Sequence, residues 1–114
     1  MENKNTLRLP DVFAALGDPV RFALVERLLA EPEMAAGDLG AGFGISAPAI
    51  SRHLAVLHRA GLVTRRADRQ RRLYAIAPEA MRQVAAWTLS HREFLQGSVA
   101  RLDALMAHEE RDDD

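Results

Sequence analysis

The 114-residue chain contains no cysteine. That absence excludes disulfides, thiolate metal sites and thiol redox sensing, and it suits a cytoplasmic protein. No uninterrupted apolar run exceeds five residues, so no segment is expected to enter or cross a membrane. The opening residues, Met1-Glu-Asn-Lys-Asn5, lack the basic-then-apolar layout of a secretory leader. Repeats, low-complexity stretches and dividing linkers are missing too. At this length one domain with a modest core is expected.

A net charge is also nearly lacking, at −1, but the charges are not evenly spread. Residues 45–77 hold seven arginines (52, 59, 65, 66, 69, 71 and 72) against one acid, Asp68, a local charge of +6. The rest of the chain holds 8 basic and 15 acidic residues, out of totals of 15 and 16. On its own such a block reads as a solvated face. On a helix followed by a hairpin, it reads as an electropositive surface for nucleic acid.

The elements follow from periodicity and punctuation. Val12–Leu16 reads as a short helix closed by Gly17. Asp18-Pro19 opens the next, with aspartate as N-cap and proline at the first helical position. This helix, 19–30, carries Val20, Phe22, Ala23, Leu24, Val25, Leu28 and Leu29 around most of its circumference, so it is expected to be a buried pillar. Glu31-Pro-Glu33 breaks it. A weak, glycine-interrupted helix over 35–43 is expected to end on a Gly44 cap; Gly40-Ala-Gly42-Phe-Gly44 has neither the spacing nor the preceding strand of a dinucleotide fingerprint.

Ser46 then caps a helix running to Ala60, with Ile50, Leu54 and Leu57 at core spacing. Gly61 stops it. Strands are expected at 62–67 and 72–77, with Tyr74 and Ile76 sharing a face and the turn at 68–71. Pro78 starts one last helix to Glu109. The division is a flexible 1–9, a winged-helix domain for DNA binding over 10–109, to which the resemblance given below adds dimerisation, and a disordered acidic tail at 110–114. The fold class is mainly α with a small β-hairpin, α-α-α-α-β-β-α, the layout of a winged helix-turn-helix.

The face of helix 46–60 opposite the core stripe presents Ala47, Pro48, Ser51, Arg52 and Ala55. Small side chains let a helix sit deep in the major groove. Ser51 can bond a base edge or a phosphate, and Arg52 can pair bidentately with guanine. The free N–H groups following Ser46 suit a phosphate. For His53 an interior position and a phosphate contact both stay open. Arg66, Arg69, Arg71 and Arg72 are placed on the hairpin to reach phosphates or the minor groove, adding affinity rather than sequence reading. On the last helix Leu95, Val99, Leu102 and Met106 follow a 4-3-4 spacing suited to helix packing, with Trp87 and Phe94 adding apolar area.

Ala15-Leu-Gly-Asp-Pro-Val-Arg21, Ile45-Ser-Ala-Pro-Ala-Ile-Ser-Arg-His-Leu54 and Ala60-Gly-Leu-Val63 together resemble the ArsR/SmtB family of bacterial repressors, over about residues 10–108. The resemblance implies a homodimer that binds double-stranded DNA at a palindromic operator, often in its own promoter. It implies a dimer interface built by the first and last helices, here Val12 and Phe13 with Leu95, Val99, Leu102 and Met106. It also implies an effector, a small molecule or a partner protein, whose nature the residues do not specify.

The chain departs from the family in three places. Ala47 stands where a glutamine is common, which removes one base reader and leaves Ser51 and Arg52 to read sequence. The wing turn lacks the usual glycine; positive φ at a non-glycine costs about 1 kcal/mol, so another turn type is expected. The metal motifs are missing: the third helix offers only Asp38, and His91, Glu93, Asp103, His108 and Glu109 do not fall in the ligand pattern of the last helix, so neither metal nor cofactor is expected. The alternative function is a protein-interaction winged helix with vestigial DNA binding. An enzyme is excluded on the strongest pair present, because Ser51 and His53, two apart on a helix, point to different sides.

Overall fold

The computed structural model describes residues 7–112. Its elements are α1 (Leu9–Leu16), α2 (Pro19–Ala30), β1 (Met34–Ala35), α3 (Ala36–Leu39), α4 (Ala47–Arg59), β2 (Val63–Asp68), β3 (Arg71–Ile76), α5 (Pro78–Ser90) and α6 (Arg92–Asp112). Where the sequence suggests one domain over 10–109, the chain groups into two compact units, the first ending at Arg82 and the second beginning at Gln83. Residues 1–6 of the expected flexible start lie outside the described residues. Of the remainder, Leu7 is half-buried and Leu9 already begins α1.

In the first unit, α2 begins as its sequence requires. The Asp18 carboxylate accepts hydrogen bonds from the backbone N–H of Val20 (2.9 Å) and Arg21 (3.0 Å). The Arg21 N–H is the main cause holding this carboxyl below its usual range, and Pro19 occupies the first helical turn. The core combines Val12 and Ala15 of α1, Leu24, Val25 and Leu28 of α2, Leu39 of α3, and Ile50, Leu54 and Leu57 of α4. Leu62, Val63, Leu73 and Tyr74 complete it from the sheet. Fully burying each large aliphatic side chain contributes about 1.5–3 kcal/mol.

Several expectations change here. Helix α2 is not buried all round: Phe22 and Leu29 are 51% and 56% exposed, because its neighbours α1, α3, α4 and β3 cover one side only. The third helix is one turn long and is preceded by a two-residue strand absent from the sequence reading. That strand pairs Met34 with Tyr74 and Ala35 with Leu73, giving a three-stranded antiparallel sheet in the order β1-β3-β2. Two residues carry no period, so no pattern announces them.

The C-cap of α3 is Gly40, not Gly44. A Cβ at Gly40 would sit 2.8 Å from Ile50 Cγ1, so glycine here is what lets α3 close onto α4. The turn between them is held from α2. Arg27 donates to the carbonyls of Leu39 and Ala41, both at 2.6 Å, and its guanidinium lies 4.3 Å from the Phe43 ring centroid.

The single last helix of the sequence reading is two helices. Side-chain hydroxyls compete with the backbone ladder before the break: Thr88 donates to Val84 O at 2.9 Å and Ser90 to Trp87 O at 3.0 Å. His91 stacks on Trp87 at 4.7 Å. Helix α6 then continues through Asp112, so residues 110–112 of the expected disordered tail are helical, while 113–114 lie outside the described residues. Among the described residues no helix is long and apolar enough to cross a membrane.

Candidate nucleic-acid interface

Helix α4 is as the sequence predicts. The Ser46 hydroxyl accepts from Ala49 N at 3.2 Å, the chain enters with Pro48 in the first turn, and the helix closes at Ala60. Gly61 follows at φ 84, where Leu7 packs against it. Ile50, Leu54 and Leu57 are buried, whereas Ser46, Ala47, Pro48, Ser51 and Arg52 are all exposed. One face is thus clamped to the core while the other, with small and polar side chains near the N-terminus and the guanidinium of Arg52, is open. This face bears no acid, and the helix N-terminus adds partial positive charge. Such a surface is complementary to a nucleic-acid groove.

His53 takes the interior alternative in part. Its side chain is 24% exposed and its Nδ1 lies 3.8 Å from Asp18 Oδ2 and 3.3 Å from Arg21 Nη1. The neighbouring His58, half-buried at the end of the helix, is pushed below the ordinary histidine range by burial and then by the charge of Arg65.

The wing strands lie within one residue of expectation, Val63 pairing with Ile76 and Asp68 with Arg71. The two-residue turn is Arg69-Gln70, and Arg69 adopts φ 61. The expected avoidance of positive φ therefore fails: with Asp68 and Arg71 locked opposite each other, a two-residue turn requires it. Arg66, Arg69, Arg71 and Arg72 of the wing also differ in their surroundings. Arg69 and Arg72 form no ion pair among the described residues. Arg66 reaches across β3 to the residue preceding β1, where its Nε and Nη2 each meet a Glu33 carboxylate oxygen at 2.8 Å. The Arg66 hydrogen bond is the chief cause keeping the Glu33 carboxyl below its usual range. Arg71 lies 3.8 Å from Asp38. Glu33, Arg21 and Arg27 were not legible as functional residues, because each acts on a partner far along the chain.

The candidate dimer residues separate as well. Val12 is fully buried in its own protomer's core and has no surface to offer a second chain. Position 12 combines with Ala15 on the inward face of a helix only eight residues long. Phe13 is 41% exposed. In the second unit Leu95, Val99, Leu102 and Met106 are exposed along α6, together with Phe94 and Leu105. No set of three or more His, Asp or Glu side chains that could hold a metal occurs among the described residues.

A helix-turn-helix domain family matches residues 16–66. The chain is 44% identical over 75 residues to the HTH-type transcriptional regulator Rv2034 of Mycobacterium tuberculosis, covering 65% of this chain and 69% of that protein. It is 32% identical over 80 residues to the transcriptional repressor SdpR of Bacillus subtilis, covering 70% and 88%. Among solved structures, a crystal structure of an ArsR family transcriptional regulator superposes with a TM-score of 0.70 at 27% identity, covering 77% of this chain and 96% of that one. The homodimeric winged helix-turn-helix DNA-binding domain of Mb0332 from Mycobacterium bovis gives 0.60 at 27% identity, covering 78% and 82%. The chain belongs to the ArsR family of winged helix-turn-helix transcriptional regulators.

Proposed function

We propose that this DNA-binding regulator is a homodimeric cytoplasmic repressor of its own or a neighbouring operon. It would place the 46–60 segment in the major groove of a palindromic operator and the wing on the backbone or minor groove. The observation that carries this reading is the open face Ser46, Ala47, Pro48, Ser51 and Arg52 on a helix whose other face is locked into the core. Ser51 and Arg52 read base edges; Pro48 and Ala47 allow close approach; Arg69 and Arg72 supply phosphate contacts, with Arg71 beside them. The repressor role is supported by the likeness to SdpR, and dimerisation by the homodimeric Mb0332 domain together with the exposed apolar side chains of α6. A small-molecule or protein effector would act on this dimer.

A mobility-shift comparison tests the proposal. The protein should prefer duplex from its own promoter region over random duplex, with half-sites spaced by multiples of about 10 bp. Arg52→Ala should relax that preference. Equal affinity for both duplexes would defeat the repressor reading. The pairing of Arg66 with Glu33 and Arg71 with Asp38 lowers the free charge of the wing and gives the protein-interaction alternative its one support. A folded dimer without DNA affinity at low salt would select that alternative.

A further inference from the structure

We propose that Arg21 and His53 are positioning residues for DNA recognition, fixing the roll of α4 about its own axis. This rests on the DNA-binding reading above and deepens it, since neither residue need touch a base. The hydrophobic stripe Ile50, Leu54 and Leu57 seats α4 in the core, but apolar contact is non-directional. The one directional side-chain tie between α4 and α2 among the described residues is His53 Nδ1 to Arg21 Nη1 at 3.3 Å.

The chemistry of that tie is one-way. A guanidinium only donates, so in this hydrogen bond Nδ1 is the acceptor. Arg21 is itself held from two sides. Its Nε donates to Ala15 O at the end of α1, at 2.7 Å, and its backbone N–H donates to the Asp18 carboxylate. Asp18 Oδ2 in turn lies 3.8 Å from His53 Nδ1. The end of α1, the start of α2 and the middle of α4 thus meet in one polar cluster.

Position 53 follows directly on Ser51 and Arg52. A roll of about 10° displaces a side-chain atom 6 Å from a helix axis by about 1 Å. That displacement exceeds the tolerance of roughly 0.5 Å within which a recognition group stays productive. Losing one bidentate base pairing corresponds to about a tenfold fall in discrimination. Phosphate contacts, spread over the wing and less directional, should be little affected.

The test measures affinity for operator duplex and for random duplex at one salt concentration, with thermal melting to establish that each variant folds. His53→Leu should lower operator affinity about tenfold and random-duplex affinity less than twofold. His53→Asn places a carbonyl acceptor where Nδ1 stood, and should recover most of the operator preference. Arg21→Met, which keeps the stem and removes the donors, should reproduce the His53→Leu loss and guards against a leucine variant that does not fold. Three results would overturn the proposal: operator preference unchanged in His53→Leu and Arg21→Met, operator and random affinities falling together, or His53→Asn as impaired as His53→Leu. If the unmodified protein itself shows no operator preference, the repressor reading fails and this inference falls with it. If only the variants behave as wild type, the repressor reading stands alone.

Discussion

Replacing Arg66 by alanine is expected to leave the salt dependence of DNA binding almost unchanged, although Arg66 sits in the most basic stretch of the chain. Each phosphate neutralised on duplex DNA contributes about 0.9 to the slope of log affinity against log salt. Between 50 and 200 mM salt, one such contact changes affinity by roughly 3.5-fold. Arg69 and Arg72, which have no acidic partner among the described residues, should each remove about one contact when changed to alanine. Arg66 would first have to leave two charge-assisted hydrogen bonds of 2.8 Å to Glu33. Its guanidinium is therefore engaged before DNA arrives, and Arg66→Ala should move the slope by less than about a third of one contact. Glu33→Gln weakens the clamp and should raise the slope by as much as about 0.9. Because the Glu33 carboxyl is held below its ordinary value of 4.5, the clamp persists above that value and is lost only as pH falls through the lowered one. Fluorescence anisotropy of labelled operator duplex over 50–200 mM KCl, at neutral pH, measures all four slopes. A full unit lost in Arg66→Ala, equal to the loss in Arg69→Ala, would refute the reasoning.

Two neighbouring glycines should respond oppositely to alanine. At Gly37 an added Cβ meets nothing within 4 Å, so Gly37→Ala should stabilise by about 0.4–1 kcal/mol, whereas Gly40→Ala forces overlap with Ile50 and should cost about 1–3 kcal/mol; thermal melting of the two variants checks the difference in sign. Arg27→Ala removes two carbonyl hydrogen bonds and the contact with Phe43 and should cost about 2–3 kcal/mol in urea denaturation. Arg27→Lys should recover little of it, since an ammonium cannot make the forked contact. His58 has a folded-state value below 6.5, so the unfolded chain takes up its proton first as pH falls. Its contribution is complete above about pH 6.5 and is lost as pH drops through the lowered value. His58→Gln should accordingly flatten the stability profile between pH 7 and 5, and an unchanged profile would remove this assignment.

Local signals in the sequence were sufficient for much of this protein. Asp18-Pro19 and Ser46 mark their helix starts because a cap acts on N–H groups two or three residues away. Ile50, Leu54 and Leu57 mark the buried face of α4, and with it the open face, because helical period is written over seven residues. The wing strands appear within one residue of their places, and the motifs around 15–21 and 45–63 resemble the family to which the chain belongs.

What the sequence left undecided depends on separations no local pattern spans. Strand β1 exists only because Tyr74 and Leu73, about 40 residues on, offer it an edge. The family resemblance puts Val12 at a dimer surface, yet it lies in the core, because an eight-residue helix does not reveal which side its neighbours occupy. Gly40 reads as a weak helix former until Ile50 is seen 2.8 Å from where its Cβ would stand. Arg66 reads as a wing arginine among others, and His53 as either an interior or a phosphate-facing residue. Glu33 and Arg21, 33 and 32 residues away, are the partners they meet in space, joining Arg66 to the residue before β1 and His53 to α2. The sequence by itself determined the starts of α2 and α4, the two wing strands and the open face of α4, since those depend on near neighbours. Tertiary structure alone decided which wing arginines meet an acidic partner among the described residues, because those partners are distant in sequence and near only in space.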